Sequence, residues 1–489
     1  MTAEAGNLKK ATARTLKWNT IDRFAQQVLY GITGIVLANV LTQEDFGLVG
    51  AILVFQAFGI LFVDSGFGAA LLQKKTPTDE DYSTVFWFNL IVSVVTYIIL
   101  YAAAPLIAHI FRDNLALIPL SRVMFLSFIL NGLGIVQTNR LMKAMDVKQI
   151  AVANLLGLIL SGVLGIVLAL SGAGAWALVW QTIALAAIKT GWLWFKSDWL
   201  PRLIFSMKSL KEIYRVGLGV FSSSFLNTLF LHIYSFVIGS YYSIVALGVY
   251  TQADKWSKMG SASLSQIVTA TFVPVLSKFQ DEADQFRAMM ARVARLTGFM
   301  TLPFMLGLAV MAAPVFHTLF GHKWDDAIPL FQILMVRGAL VIYISLCTNY
   351  LLALGYAKSL VVVEGVKDAC TLIAIAATIP FGTVEALVWG QLGASIVTYT
   401  YMLIRVTRST GISMRKLMSG MWHYLLPLIP ALTAMWAVTQ LHCGEVLMLG
   451  LQILVGLALY VPMLSLLRDP MYAEAKQYIL SRFHRKNPM

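Results

Sequence analysis

Several charged side chains lie inside long apolar stretches of the 489-residue chain: Asp22, Arg23, Asp64, Asp254, Lys255, Lys258 and Arg337. A charge in the middle of a hydrocarbon layer costs roughly 2.5–3.5 kcal/mol on insertion scales, so such residues face a wet cavity or a partner. Around Asp22 and Arg23, the polar residues Asn19, Gln26, Gln27, Tyr30 and Thr33 recur mostly three or four apart, which makes one stripe of a helix. Asp22 and Arg23 are adjacent, so on a helix they do not face each other or neutralise one another directly. The stretch from Tyr250 to Gln266 is more polar still. There Asp254 and Lys258 are spaced i,i+4 and can pair, which leaves Lys255 over. Counting ~1.5 Å per residue, Lys255 and Lys258 lie roughly 15–20 Å from the outer edge of the membrane, with Arg337 at about the same depth. Ser222, Ser223, Ser224, Asn227, Thr228 and His232 add hydroxyl, amide and imidazole groups to a neighbouring stretch.

Together, Arg23, Lys255, Lys258 and Arg337 predict a hydrophilic chamber of cationic bias. Its chemistry suits capture of an anionic head group, phosphate above all, with hydroxyls and amides to solvate sugar. The alternative is that these bases belong to structural ion pairs or snorkel outward. Arg122, one turn from the outer edge, fits snorkelling. Lys367, beside Asp368 and three residues from Glu364, fits a local ion-pair cluster, and His232 fits a packing role. Asp64 opens the segment Asp64-Ser65-Gly66-Phe67-Gly68, whose glycines loosen or bend a helix. Asp22, Asp64 and Asp254 are candidate coupling or hinge carboxylates, with Asp64 alternatively a cap on a broken helix.

Cys347, Cys370 and Cys443 are scattered, and the 7 histidines show no metal-ligand spacing, so no structural metal is expected. No GxxxxGK[ST] loop or soluble domain is present to hold ATP. No cofactor is expected, and a gradient or the substrate itself must supply the driving force.

The elements that must position these residues follow from composition. Hydrophobic residues make up 58% and charged residues 12%, the latter about half the share of an ordinary soluble domain. A soluble fold could not hide so much apolar surface, so the chain is expected to be an all-α polytopic membrane protein. Fourteen apolar runs predict spanning helices, at 18–41, 46–72, 84–108, 117–138, 150–170, 175–195, 213–239, 245–275, 296–320, 327–354, 359–380, 384–404, 421–441 and 446–467. The first run is too long for a signal-peptide core and is expected to remain as a span.

With the N-terminus inside, the outer loops carry only Arg112 and Lys323. Arg23, Arg122, Lys255, Lys258, Arg337 and Lys367 fall within spans, and the remaining bases group with the cytoplasmic segments. This asymmetry predicts a multi-pass protein with both termini cytoplasmic. The net charge of +13 is then a cytoplasmic face meeting anionic lipid, and no nucleic-acid partner is expected. The connections 196–212 and 276–295 are expected to be interfacial helices, and the basic tail 481–486 a headgroup anchor.

The two halves of the chain resemble each other. Ala103-Ala104-Pro105 with Phe111 recurs as Ala312-Ala313-Pro314 with Phe320, at offset 209. Ile118-Pro119-Leu120 recurs as Ile328-Pro329-Leu330, and Thr138-Asn139 as Thr348-Asn349, both at offset 210. Ala177-Leu178-Val179-Trp180 recurs as Ala386-Leu387-Val388-Trp389, while Phe24 and Gly47 match Phe225 and Gly248 at offset 201. Each repeat holds six spans. The expected plan is therefore two like-oriented lobes, 1–205 and 206–410, followed by two further helices and the basic tail in 411–489. Substrate would sit near the midplane between lobes that rock.

Glu44-Asp45-Phe46-Gly47, Asp64-Ser65-Gly66-Phe67-Gly68 and Leu247-Gly248-Val249-Tyr250-Thr251-Gln252-Ala253 carry a resemblance over essentially the whole chain. The sequence resembles the polysaccharide transporter family, of O-antigen and colanic-acid type, within the multidrug/oligosaccharidyl-lipid/polysaccharide exporter superfamily. The resemblance implies a flippase, not an enzyme. Such a protein moves an undecaprenyl-pyrophosphate-linked oligosaccharide to the outer leaflet of the bacterial cytoplasmic (inner) membrane by alternating access, the lipid tail leaving between helices one and eight. It also implies membrane lipids, a polysaccharide polymerase and chain-length machinery as partners.

The nearest rival is a multidrug exporter of the same superfamily, which would favour an acid-lined site. A major-facilitator transporter lacks support because the loop Gln73–Asp81 does not carry that family's basic signature. A membrane polymerase or ligase would need a sizeable outer loop, and the outer loops here are short.

Overall fold

The computed structural model describes residues 2–64, 66–276, 282–441 and 443–485, and these are helical with no strand among them. The chain divides into two compact units, Met1–Thr251 and Gln252–Met489. The first holds α1 (Thr2–Val40), α2 (Gln43–Asp64), α3 (Phe67–Gln73), α4 (Asp79–Ile110), α5 (Leu117–Met124), α6 (Ser127–Lys143), α7 (Val147–Leu170), α8 (Ala175–Lys196), α9 (Met207–Val237) and the start of α10 (Ile244–Leu276). The second holds the rest of α10, then α11 (Ala283–Val310), α12 (Ala312–Phe320), α13 (Ala327–Ala353), α14 (Ala357–Thr378), α15 (Val384–Thr410), α16 (Met414–Val438), α17 (Glu445–Leu466) and α18 (Pro470–Arg485).

Among the described residues, 10 helical stretches are long and apolar enough to cross a membrane, and each overlaps an expected span. The expected runs 18–41, 175–195, 245–275 and 359–380 are not among those 10. They are occupied by α1, α8, α10 and α14, each at least 22 residues long.

Local signals explain the helix boundaries of the first unit. Thr78 caps α4 in a reciprocal box: its hydroxyl accepts from the Asp81 backbone N–H at 3.2 Å, and the Asp81 carboxylate accepts from the Thr78 N–H at 2.8 Å. Lys74 pairs with the same carboxylate at 2.9 Å and so ties α3 to the start of α4. At the end of α3, the Lys143 ammonium of α6 donates to the carbonyls of Leu71 and Leu72, both at 3.3 Å, and to that of Lys74. These carbonyls have no intrahelical partner, and the helix dipole adds to the attraction. Lys143→Met is therefore expected to destabilise the α3–α6 corner by about 1.5–3 kcal/mol, measured as a lower melting temperature of purified protein in detergent.

Three sequence expectations are corrected. The connection 196–212 is not an interfacial helix, because residues 197–206 are irregular and α9 begins at Met207. Its backbone is held on α4 instead: Ser83 accepts from the Arg202 N–H at 3.2 Å, Thr84 from the Ser206 N–H at 3.0 Å, and Trp87 donates to the Arg202 carbonyl at 2.7 Å. The connection 276–295 is not a separate helix either. Residues 277–281 lie outside the described part, and α11 runs unbroken from Ala283 to Val310. The runs 46–72, 117–138 and 296–320 are each interrupted, giving α2/α3, α5/α6 and α11/α12. Of the expected basic tail, Lys486 lies outside the described residues, and the preceding segment belongs to α18. Buried Asp469 sets the start of α18 by accepting from the Tyr472 N–H at 2.8 Å, with Pro470 at the first helical position.

Within the first unit, α2 and the start of α10 cross at backbone contact. A Cβ on Gly47 would lie 1.8 Å from the Ile244 carbonyl oxygen, and a Cβ on Gly248 would lie 1.8 Å from that of Gln43. Positions 43 and 47 map onto 244 and 248 at the repeat offset of 201, so the contact is reciprocal between repeat-equivalent residues.

Candidate functional site

Asp22 sits on the face of α1 that packs against α7 and is buried, while Arg23, next in sequence, is exposed. Asn154 of α7 donates to Asp22 Oδ2 at 3.1 Å, and the other oxygen, Oδ1, is buried with no hydrogen-bond partner among the described residues. The two neighbours thus point to different surroundings, as their 100° separation on a helix requires.

Asp64 ends α2. Ser65 lies outside the described residues, Gly66 takes the left-handed conformation at φ 70°, and α3 starts at Phe67 with no side-chain cap among the described residues. The glycine segment therefore breaks the helix. Gly68 fits only as glycine, since a Cβ there would lie 2.7 Å from Asn139 Nδ2 and 3.0 Å from Asp64 Oδ1.

The break opens onto a pocket of about 320 Å³, where Asp64, Asn131, Thr138, Asn139, Lys189 and Thr190 present polar groups from α2, α6 and α8 among apolar residues such as Ile60 and Leu193. Thr190 ties α8 to α6 by donating to the Leu130 carbonyl at 2.8 Å.

Lys189 is the residue that sequence reasoning missed. The charge count placed it with the cytoplasmic segments, yet it lies seven residues inside the end of α8, roughly 10 Å along the helix, and lines this pocket. Its signal was the lone base inside the run 175–195. Asn131, Thr138 and Asn139, at i, i+7 and i+8 on α6, were legible as one helical stripe.

In the second unit, α10 carries Asp254, Lys255 and Lys258. Lys258 pairs with Asp254 at 2.6 Å, the i,i+4 partnership expected from spacing. Half-buried Lys255 lies 5.3 Å from the centroid of the Trp256 ring, and no carboxylate among the described residues pairs with it. Gly338 of α13 lets α10 approach closely, because a Cβ there would lie 3.2 Å from Ser261 Cβ. Arg337, the preceding residue, is half-buried and donates from Nε to the Ser395 hydroxyl of α15 at 3.2 Å. Its partner is thus a neutral hydroxyl. Ser395 in turn donates to the Gln391 carbonyl at 3.0 Å.

Of the remaining intramembrane bases, Lys367 pairs with Glu364 as expected. Arg122 stacks 4.4 Å over the Tyr101 ring.

The arrangement can offer cationic hydrogen-bond donors from α10 and α13 in one unit, and a mixed carboxylate, amide and ammonium pocket in the other. A family model described as "Polysaccharide biosynthesis protein" matches residues 36–329. The chain belongs to that family. The chain is similar to the teichuronic acid biosynthesis protein TuaB of Bacillus subtilis, at 25% identity over 70% of this chain and 71% of TuaB. It is similar as well to the succinoglycan biosynthesis transport protein ExoT of Rhizobium meliloti, at 24% identity over 81% of each chain. Its fold matches that of the lipid II flippase MurJ in an inward closed conformation, with a TM-score of 0.75 at 15% identity over 92% of this chain and 99% of MurJ. The chain thus has an all-helical membrane fold, as the apolar runs led one to expect, and that fold is of the MurJ kind.

Proposed function

We propose that the protein is a flippase that moves an undecaprenyl-pyrophosphate-linked oligosaccharide from the inner to the outer leaflet of the bacterial cytoplasmic membrane by alternating access. The observation that carries the reading is Arg337. A guanidinium held half-buried in an apolar helix by a neutral hydroxyl has most of its donors left for an anion, and a planar fork matches a phosphate. Lys255 and Lys258 on α10 belong with it to the cationic set that receives the pyrophosphate, and Arg23 on α1 is a further candidate base. Asp22, Asp64 and Asp254 are the carboxylates for coupling or hinge motion.

The repeats 1–205 and 206–410 are the moving lobes, and 411–489 is an addition to them. Both termini face the cytoplasm, and the translocated product passes to polymerase and chain-length machinery on the outer side. The protein transports and does not catalyse. Family membership and the names of the relatives support this reading.

A deletion strain analysed for lipid-linked intermediates by leaflet tests it. The expected result is accumulation of undecaprenyl-linked oligosaccharide on the cytoplasmic leaflet. Unchanged intermediates with altered drug sensitivity would overturn it in favour of a multidrug exporter.

A further inference from the structure

The two histidines between α12 and α13 converge on a shared acid. α12 ends at Phe320, and Gly321, at φ 71°, turns the chain into a short 3-10 turn, His322–Trp324. The turn is anchored by Trp324, which is 1% exposed. It folds His322 back beside His317, their ring centroids 4.2 Å apart. Asp325 then meets both rings: Oδ1 lies 2.9 Å from His317 Nε2, and Oδ2 lies 3.4 Å from His322 Nδ1. The other nitrogen of the His317 ring, Nδ1, lies 3.1 Å from Glu445 Oε1 at the start of α17.

A neutral imidazole has one N–H, and a carboxylate only accepts. Both nitrogens of His317 face carboxylate oxygens, so one of the two contacts needs a positive group beyond the ring's single proton. If Nδ1–H serves Glu445, the Nε2 lone pair points at an Asp325 oxygen, and a second imidazole stands within 4.8 Å of the same point. A carboxylate fixing one ring nitrogen while the other faces a cluster of donors is the outer-shell arrangement of metal-bound histidine.

We infer that His317, His322 and Asp325 form a binding site for a divalent first-row transition ion of the zinc class, with Glu445 orienting His317. Two imidazoles and a carboxylate suit such an ion and not calcium or magnesium, which take oxygen ligands. Tetrahedral zinc with bonds of about 2.0–2.2 Å sets ligand atoms roughly 3.3–3.6 Å apart, which brackets the 3.4 Å separation of His322 and Asp325. The remaining adjustment falls on the exposed His322 ring and on the His317–Asp325 contact, which opens from 2.9 Å as the ion enters. Because Glu445 opens α17, an ion here would brace α17 against the α12–α13 corner.

The test is a cobalt(II) titration, with zinc(II) competition, of the purified full-length protein in detergent with any polyhistidine tag removed. The expected result is one saturable cobalt equivalent with visible ligand-field bands, displaced by zinc, and a melting temperature that falls on chelation with EDTA. H322A, at an exposed position, and H317A should abolish the bands. E445Q should keep the stoichiometry and weaken affinity about 10- to 100-fold. H109A, in an exposed two-member pair with Asp113, should change nothing. No saturable band in the parent protein, or equal binding by H317A and H322A, would overturn the site. So would stability that responds to pH but not to EDTA, which would assign the contacts to a proton.

Discussion

Replacing Arg337 with alanine will cut surface polysaccharide roughly 10- to 100-fold while the protein stays in the membrane at its normal level. The size follows from losing charge-assisted hydrogen bonds worth about 1.5–3 kcal/mol to a bound anion. The specificity of the loss follows from local bonding. Ser395 keeps its bond to the Gln391 carbonyl after Arg337 is gone, so no buried hydroxyl is orphaned and the fold is spared. Arg337→Lys will recover part of the output, because it restores charge but not the planar fork. Lys255→Ala will act in the same direction, since no carboxylate among the described residues pairs with Lys255. Cell-surface polymer quantified beside a membrane immunoblot measures both effects. Normal polymer in Arg337→Ala and Lys255→Ala together would remove the anion-binding assignment.

Gly248→Ala is expected to be the most destructive small substitution in the first unit. Its methyl would sit 1.8 Å from the Gln43 carbonyl oxygen and 2.9 Å from the Gly47 nitrogen. Both obstacles are backbone, so no side chain can rotate away and the helices must separate. Ordinary overpacking costs about 1–3 kcal/mol, and this contact belongs at or above that upper end. A loss of 1–2 kcal/mol already changes cellular abundance several-fold, so the variant should be nearly absent from membranes. Gly47→Ala should behave alike, since it meets the Ile244 carbonyl at the same 1.8 Å. Gly450→Ala, with nothing among the described residues within 4 Å, is the matched control. Normal abundance of Gly248→Ala would show that the α2–α10 crossing is looser than described.

The membrane fold was legible because apolarity and helix length are properties of the chain alone. The Asp254–Lys258 pair was legible for the same reason, since i,i+4 spacing fixes it. Features settled by distant partners were not. Residues 197–206 have the charge of an interfacial helix, but Ser83 and Thr84 take up two of their backbone N–H groups. The break at Gly66 could be suspected from the glycines. The partners that make Gly68 necessary, Asn139 and Asp64, meet only in three dimensions. Lys189 shows the cost of grouping a base by proximity to a loop. His317, His322 and Asp325 are close in sequence, but only the turn at Gly321 and the approach of Glu445 show what they share.

The helices outside the apolar set have a consequence for how the chain reaches its membrane. α14 carries Glu364, Lys367 and Asp368, α1 carries Asp22 and Arg23, α8 carries Lys189, and α10 carries Asp254, Lys255 and Lys258. At about 2.5–3.5 kcal/mol for each central charge, these segments are expected to partition into lipid less readily than the 10 apolar ones. Integration is thus expected to be staged, with the oily helices partitioning first and the amphiphilic ones following as neighbours arrive to shield them. Asn154 does this for Asp22, and Glu364 for Lys367. A substitution that weakens such a greeting pair will be seen first as failed biogenesis, before any transport step is reached.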